Sequence, residues 1–251
     1  MNREESDLKK EKKPPMSLLE VRNLRRDFFG LSAVAGVDLH VGDGEIVGLI
    51  GPNGAGKTTT FNLISGTIKP TAGNILFKGE DITALKPHEI CRKNIARTFQ
   101  AVNLMYDMTV FENVLIGSLF GALTNNTEAR DEAHAILDFM GLSEKKDFPA
   151  DDLGIAEQKR LEIARALATK PEVLLLDEVM AGLIPSEVSA MVEMVRKINN
   201  KGITLFLIEH IMHAIMEVSD RIIVLHYGEK IAEGVPEEIT KDKKVIEVYL
   251  G

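Results

Sequence analysis

The segment that most constrains this chain is a glycine-rich loop, Gly51–Thr58, which reads GPNGAGKT. It matches the pattern G-x4-G-K-[ST], in which glycines let successive backbone N–H groups point at a phosphate. An apolar run, Glu45–Ile50, precedes the loop as a predicted strand, and Thr59–Ser65 continues it as a predicted helix, whose N-terminus favours anions. The alternative is a chance glycine turn, which would match in about one per cent of chains of this size. The loop therefore predicts a phosphate site, with Lys57 as its cation and the Thr58 hydroxyl as a ligand for Mg²⁺.

An acidic pair provides a second part of the predicted site. The apolar run Val173–Leu176 ends in Asp177 and Glu178. In phosphoryl-transfer enzymes, a carboxylate at the end of a hydrophobic strand lies beside Mg²⁺. Glu178 would then lie where it can polarise a water molecule for in-line attack. Many buried strands end in an acidic turn, so this assignment depends on the phosphate loop.

Buried strands and helices alternate along the chain. Glu45–Ile50, Val173–Leu176 and Ile203–Ile208 are nearly continuous in apolar residues, as expected of strands that are buried on both faces. Apolar residues at three- and four-residue spacing predict helices over Ala156–Thr169 and Pro185–Asn200. This alternation predicts an α/β fold, with a phosphate-loop NTPase core built on a mainly parallel sheet.

Two further portions flank that core. Short β-rich runs bounded by turn residues, at Leu18–Val21, Ala33–Val41 and Gly73–Phe77, predict an antiparallel β portion. The stretch from Thr109 to Asp152 has no buried-strand pattern. It predicts two helices with threonine N-caps, Val110–Leu119 after Thr109 and Glu128–Met140 after Thr127. We therefore expect a disordered polar tail over residues 1–15 and one domain over 16–251, with a helical insert at about 101–165.

Composition excludes several classes of protein. The 251 residues are 45% hydrophobic and 27% charged, which argues against disordered, collagen-like and coiled-coil chains. No run approaches the ~18 apolar residues of a membrane span, and Met1–Pro15 lacks the apolar core of a signal peptide. The net charge of -8 argues against nucleic acid as a partner. Cys91 is the only cysteine, so an intrachain disulfide is impossible and a reducing compartment fits.

Further motifs give the chain a family resemblance. From about Leu18 to Gly251 it resembles the nucleotide-binding subunit of the ATP-binding-cassette transporters, most of all the ATP-binding subunits of branched-chain amino-acid importers. The segments that carry this resemblance are Pro52–Thr59 (PNGAGKTT), Ala96–Gln100 (ARTFQ), Met108–Asn113 (MTVFEN), Leu161–Ala166 (LEIARA), Asp177–Leu183 (DEVMAGL) and Val248–Gly251 (VYLG).

The resemblance implies roles for individual residues. Phe28 falls where the family stacks an aromatic ring on adenine, although a core phenylalanine or a swap with Phe29 stays possible. Gln100 matches the glutamine that touches Mg²⁺ and the attacking water, and His210 matches the histidine at the γ-phosphate. The residues expected to bind ATP through the phosphate loop are Gly51, Pro52, Asn53, Gly54, Ala55, Gly56, Lys57, Thr58 and Thr59. The expected Mg²⁺ ligands are Thr58, Gln100 and Asp177, and the expected catalytic residues are Glu178, His210 and Gln100.

The chain departs from the family pattern at its signature motif. The usual Leu-Ser-Gly-Gly-Gln reads Leu153–Glu157 (LGIAE) here. In the family this motif caps the ATP that is held by the opposite subunit, so Gly154 and Ala156 are expected to bind nucleotide through their backbone. Glu157 replaces a neutral glutamine and would add negative charge near phosphate. Val179 stands where the family mostly has proline, a change that we expect to be tolerated.

The resemblance implies an ATP-hydrolysing motor subunit at the cytoplasmic face of a membrane. Its expected partners are a second cassette subunit, in a heterodimer because of the altered signature, and integral membrane permease subunits. An extracytoplasmic solute-binding protein would deliver the solute indirectly. Branched-chain amino acids are the expected cargo. Urea or short amides, a lipid-extracting complex, and a soluble cassette protein outside transport are the alternatives.

Overall fold

The computed structural model describes residues 17–122 and 125–250. The predicted tail over residues 1–15, together with Met16 and Gly251, lies outside these residues. Within the described chain, strands and helices form two sheets and a helical layer. No described helix is long and apolar enough to cross a membrane.

The larger sheet has six strands in the order β10-β9-β3-β8-β7-β6. Neighbouring strands are parallel except for β10, which pairs antiparallel with β9 at one edge. Every residue of the three central strands β3, β7 and β8 is buried, which confirms the prediction from their apolar runs. The strands are β3 (Ile46–Ile50), β6 (Ile95–Arg97), β7 (Val173–Asp177), β8 (Thr204–Ile208), β9 (Arg221–His226) and β10 (Glu229–Gly234).

The smaller sheet is antiparallel, with the order β2-β1-β4-β5. It corresponds to the predicted antiparallel portion, although its first two strands are longer than the sequence runs indicated. Its apolar face packs against the parallel sheet, with Phe61 and Phe206 among the buried side chains between the two sheets. The strands are β1 (Ser17–Phe28), β2 (Leu31–Gly42), β4 (Ala72–Phe77) and β5 (Glu80–Asp81).

Helices cover the other face of the parallel sheet. Side chains of β7 alternate between the two sides: Leu174 and Leu176 pack toward the helical layer, whereas Val173 and Leu175 pack toward the antiparallel sheet. The described helices are α1 (Lys57–Ile64), α2 (Pro87–Arg92), α3 (Val110–Ile116), α4 (Asn126–Phe139), α5 (Ile155–Leu167), α6 (Pro185–Asn199), α7 (Met212–Val218), α8 (Pro236–Ile239) and α9 (Lys243–Leu250).

The helices α3 and α4 lie between β6 and β7, where the sequence predicted helices. Thr109 is the N-cap of α3 as expected, because its hydroxyl accepts the Glu112 N–H. The N-cap predicted at Thr127 is wrong: Asn125 caps α4 by accepting the Glu128 N–H at 3.0 Å. Thr127 lies inside the first turn, and asparagine is the stronger capping residue of the two.

The helix predicted over Val110–Leu119 is α-helical only in its first seven residues. The α-helix ends at Ile116 and continues as a π-helical segment, Gly117–Gly121. A Cβ at Gly117 would lie 2.4 Å from the Arg165 carbonyl oxygen, so glycine permits this segment to approach the backbone of α5. The predicted boundary of the insert at about 101–165 stays a prediction, and Leu123 lies outside the described residues.

Candidate functional site

The glycine-rich loop joins the C-terminal end of β3 to the N-terminus of α1. Gly56 is the N-cap of α1 with a φ of +102°, and a Cβ there would lie 2.4 Å from the Ala33 carbonyl oxygen. A Cβ at Gly51 would lie 2.1 Å from the carbonyl oxygen of Leu225. No side chain in the described part of the chain caps α1, so the first N–H groups of this helix remain available to an anion. The loop therefore has the backbone geometry that a phosphate site requires.

Lys57 is folded back over this loop. Its ammonium donates hydrogen bonds to the Gly51 carbonyl at 2.7 Å and to the Pro52 carbonyl at 3.0 Å. Burial lowers the pKa of Lys57, and the carboxylates of Glu178 and Asp177 oppose this shift. The ammonium is thus held beside the loop by neutral carbonyls, which a charged phosphate oxygen can replace with a stronger hydrogen bond.

Asp177 ends β7 beside the phosphate loop. Its Oδ2 atom accepts a hydrogen bond from Arg97 at 2.8 Å, while Oδ1 is buried and has no hydrogen-bond partner among the residues described. Burial raises the pKa of Asp177, and Arg97 acts against that shift. Thr58 and Gln100 line one cavity together with Asp177. A buried free carboxylate oxygen with a hydroxyl and an amide nearby is an oxygen donor set that suits Mg²⁺.

These protein oxygens would hold a metal ion only together with the phosphate oxygens of a bound substrate. Within residues 17–122 and 125–250, no group of three or more His, Cys, Asp and Glu side chains could hold a metal ion by itself. Mg²⁺ characteristically keeps few protein ligands and completes its shell with water and substrate phosphates. The donor set therefore fits a metal that arrives with a nucleotide.

The side chain of Glu178 contacts the other two predicted catalytic residues, Gln100 and His210. Its Oε2 atom accepts a hydrogen bond from the Gln100 amide at 3.0 Å, and its Oε1 atom lies 2.7 Å from Nε2 of His210. The Glu178 backbone has a φ of +52°, a left-handed conformation that is uncommon outside glycine. Such backbone conformations cluster at functional sites. The carboxylate, the amide and the imidazole, which the family resemblance singled out, thus lie together, and their catalytic roles remain predictions.

One cavity of about 280 Å³ unites these groups with the phosphate loop. Its wall combines the loop from Asn53 to Thr59 with Gln100, Glu178 and His210, and Ala33 of β2 closes one side. Residues that are far apart in sequence meet here because β3, β7 and β8 are parallel, so their C-terminal ends lie on the same side of the sheet.

Phe28 lies outside this cavity, at the turn between β1 and β2. It is 37% exposed, the Arg26 guanidinium lies 4.5 Å from its ring centroid, and Phe29 is fully exposed. The alternative that Phe28 is a core phenylalanine is therefore wrong. An exposed ring suits stacking on a base, and this role remains a prediction.

Gly154 and Ala156 lie in a different groove, which they share with Leu183. Gly154 is the N-cap of α5, and the Glu157 carboxylate turns back to accept its N–H at 3.1 Å. Glu157 also pairs with Lys145 at 2.6 Å, which holds the pKa of Glu157 below its usual value. The extra negative charge expected at Glu157 is therefore balanced within the chain.

Three charged residues of this region were not singled out by the sequence analysis. Arg97, Lys159 and Glu209 are buried around Asp177 and Glu178. Arg97 lies within the ARTFQ segment and Glu209 directly precedes His210, so their neighbours were the available signals. Their roles depend on contacts that form only in the folded chain.

The chain is similar in sequence and in structure to ATP-binding cassettes of ABC transporters. The family model described as "ABC transporter" matches residues 34–181, and the model described as "Branched-chain amino acid ATP-binding cassette transporter" matches residues 229–251. The high-affinity branched-chain amino acid transport ATP-binding protein LivG of Escherichia coli (strain K12) is 43% identical over 249 residues, with 93% of this chain and 98% of LivG covered.

A second relative is more distant. The lipopolysaccharide export system ATP-binding protein LptB of Haemophilus influenzae is 34% identical over 236 residues, with 94% of this chain and 98% of LptB covered. Among solved structures, the ADP conformation of MJ1267, an ATP-binding cassette of an ABC transporter, has a TM-score of 0.86 and 33% identity. That match covers 94% of this chain and 99% of MJ1267. The predicted fold class and ATPase class are confirmed, and the chain is a member of the ABC transporter family, as one of its ATP-binding cassettes.

Proposed function

We propose that this cassette is the ATP-hydrolysing motor subunit of a membrane importer for branched-chain amino acids. The observation that carries the proposal is the position of Glu178, which lines the phosphate-loop cavity and is held between Gln100 and His210. The cargo is supported by LivG and by the match of the branched-chain family model to residues 229–251.

The phosphate loop and its neighbours would bind the nucleotide. Lys57 and the backbone of Gly51–Thr59 would hold its phosphates, and Phe28 would stack on adenine. Thr58, Gln100 and Asp177 would hold Mg²⁺, which when bound would neutralise charge on the phosphate oxygens. Arg97 donates to one oxygen of Asp177, and the other oxygen accepts no hydrogen bond from the residues that the structure describes. The Asp177 carboxylate is thus oriented before a metal arrives.

Glu178 would act as the general base of hydrolysis. Its carboxylate can accept a proton from a water molecule that attacks the terminal phosphate, provided that the water lies within hydrogen-bond reach. The Gln100 amide and the His210 imidazole, both of which contact this carboxylate, fix its orientation. His210 would also contact the terminal phosphate.

A second cassette subunit would complete each nucleotide site. Gly154 and Ala156 are separated from this chain's own phosphate loop, since they line another groove. They are therefore available to cap ATP that is bound by a partner. The signature Leu153–Glu157 lacks the family's serine hydroxyl, which favours a heterodimer of two unequal sites.

An apolar groove beside Gln100 would receive the permease. It has a volume of about 390 Å³ and is lined by the exposed side chains of Phe99, Met105 and Phe120. A short amphipathic helix of a membrane subunit could lay its apolar face there. This arrangement would place the chain peripherally at the cytoplasmic face of the membrane, with a solute-binding protein acting on the permease from the other side. The acidic net charge of -8 remains our reason for expecting no nucleic-acid partner.

Purification with its membrane partners tests this function. The chain is purified from its source membrane, the co-purifying subunits are identified by mass spectrometry, and the complex is reconstituted in vesicles. Leucine, isoleucine and valine should be taken up when ATP is present on the side of the cassette. The same complex with Lys57→Ala should take up none. Uptake of urea or short amides instead, extraction of lipid, or recovery without any membrane subunit would contradict the proposal.

A further inference from the structure

Two buried titratable side chains, a lysine and a glutamate, contact the backbone at and just after Glu178 and line no part of the nucleotide cavity. Lys159 belongs to α5 and is 6% exposed, and Glu209 follows β8 and is 2% exposed. Burying charged groups costs free energy unless they are paired or hydrogen-bonded. The reaction described above uses neither side chain directly. Both nevertheless contact the segment that begins at Glu178.

The contacts fix the backbone on both sides of the catalytic carboxylate. The Lys159 ammonium donates to the Glu178 carbonyl at 2.9 Å. A carboxylate oxygen of Glu209 accepts the Met180 N–H at 2.7 Å, and the Ile208 carbonyl accepts the Glu178 N–H at 2.9 Å. The N–H and the carbonyl of Glu178, and the N–H two residues later, are thus all held by groups from other elements.

This restraint coincides with the left-handed backbone of Glu178. A non-glycine residue keeps a positive φ only where its surroundings determine it, because the conformation is intrinsically unfavourable. At Glu178 the φ is +52°, and the side chain that leaves this backbone reaches both Gln100 and His210. If the backbone relaxed, the carboxylate would move away from those partners.

We propose that Lys159 and Glu209 are positioning residues for ATP hydrolysis, which hold the Glu178 backbone in the conformation that aims its carboxylate. This inference rests on the proposed role of Glu178 as the base. Lys159 also lies on α5, whose N-terminus is the signature Leu153–Glu157 that would face a partner's nucleotide. The Lys159 contact therefore connects one nucleotide site of the pair directly to the catalytic base of the other.

The two charges depend on each other. The second carboxylate oxygen of Glu209 is buried and accepts no hydrogen bond within the described part of the chain, and the negative charge of Glu209 favours the ammonium of Lys159. Removing the carboxylate of Glu209 takes away the largest favourable charge near Lys159, which then keeps only the carboxylates of Glu162 and Glu178. Removing both should therefore harm the protein less than the two separate effects combined.

The test measures hydrolysis and ATP binding on the same preparations. The variants are Lys159→Met, Lys159→Arg, Glu209→Gln and the double variant Lys159→Met with Glu209→Gln, and Lys197→Met on the exposed side of α6 is the matched control. We expect Lys159→Met to lower kcat by about tenfold to a hundredfold, the scale of a misplaced catalytic group. The Kd for ATP should stay within about twofold, and each chain should still bind one nucleotide. Lys159→Arg should restore kcat to within about threefold, since it keeps the buried donor.

The outcomes separate this inference from the proposed function. Wild-type kcat in Lys159→Met, or a loss of kcat that only follows a loss of bound nucleotide, would overturn the positioning role alone. If Lys159→Met does not fold, the nearly isosteric Glu209→Gln decides: a lower kcat at an unchanged Kd supports the role, and an unchanged kcat overturns it. A wild-type chain that neither binds nor hydrolyses ATP would overturn the proposed function and this inference with it.

Discussion

The Arg97 guanidinium lies 2.8 Å from the Asp177 carboxylate, and both side chains are buried. Arg97 also donates to the Asn62 amide oxygen at 2.6 Å and to the Ser65 hydroxyl at 3.1 Å. This one side chain therefore connects β6, the end of β7 and helix α1, which carries the phosphate loop at its start. Its planar guanidinium donates from separate nitrogens held in a fixed fork, whereas a lysine ammonium is a single compact charge.

Arg97→Met should destabilise the fold because it leaves Asp177 buried without its cation. Breaking a buried ion pair in this way costs about 3–5 kcal/mol in the free energy of unfolding. Urea denaturation measures this change. The control is Arg22→Met, which removes an exposed ion pair with Glu20 and should change the stability far less. Equal losses of unfolding free energy in the two variants would contradict the expectation that the buried Arg97–Asp177 pair contributes more than an exposed pair.

Lys57→Ala should abolish ATP binding, since Lys57 supplies the cation of the phosphate loop. Isothermal titration calorimetry with ATP measures the effect. Lys93→Ala is the control, because Lys93 pairs with Glu80 at the surface and lines no part of the nucleotide cavity. A dissociation constant that is unchanged in Lys57→Ala would contradict the assignment of the nucleotide site.

Much of the fold could be predicted from the sequence because its strongest patterns are local. Strands β3, β7 and β8 are buried on both faces, so their sequences are continuous apolar runs. The edge strand β10 was missed, since Glu229, Lys230 and Glu233 give it a polar sequence. Strand β6 has only three residues, too few for a periodic pattern.

The parts of the site that lie in one continuous segment could be predicted, whereas the parts that depend on tertiary contacts could not. The phosphate loop is one continuous segment, so its glycines and Lys57 could be recognised directly. The convergence of Gln100 and His210 on Glu178 requires the strand order of the sheet, and only the family resemblance suggested it. Buried charges such as Lys159 and Glu209 resemble surface residues in a sequence, because only their tertiary contacts distinguish them.

The stability contributed by Glu209 should depend on pH. Burial raises the pKa of Glu209 to about 7 from an ordinary value of 4.5. The folded chain therefore binds this proton more tightly than the unfolded chain. Its contribution to the free energy of unfolding is largest below about pH 4.5 and is lost as the pH rises to about 7. Urea denaturation should show the wild type losing stability relative to Glu209→Gln between about pH 5 and 7. If the difference in unfolding free energy between the wild type and Glu209→Gln did not change with pH, the raised pKa of Glu209 would be contradicted.

Gly154→Ser should accelerate the site that this chain completes for its partner. A Cβ at Gly154 lies 3.8 Å from its nearest neighbour, a carboxylate oxygen of Glu157, so serine fits. Its hydroxyl could donate to a charged phosphate, a bond that contributes about 1.5–3 kcal/mol, or roughly tenfold to a hundredfold in rate. The measurement uses the reconstituted pair with Glu178→Gln in this chain, so that only the partner's site turns over. Gly154→Ala is the control, and equal rates in the two variants would contradict the asymmetry.

The most direct test of the account compares Glu178→Gln with the wild type in ATP binding and ATP hydrolysis. The variant keeps the shape of the side chain and removes the base. Measured on the isolated chain, it should bind ATP with an unchanged Kd and hydrolyse it at least about a hundredfold more slowly than the isolated wild type. Mixed with the partner cassette, ATP and Mg²⁺, it should form a dimer that light scattering detects. Hydrolysis by Glu178→Gln at the wild-type rate would contradict the central claim that Glu178 is the catalytic base.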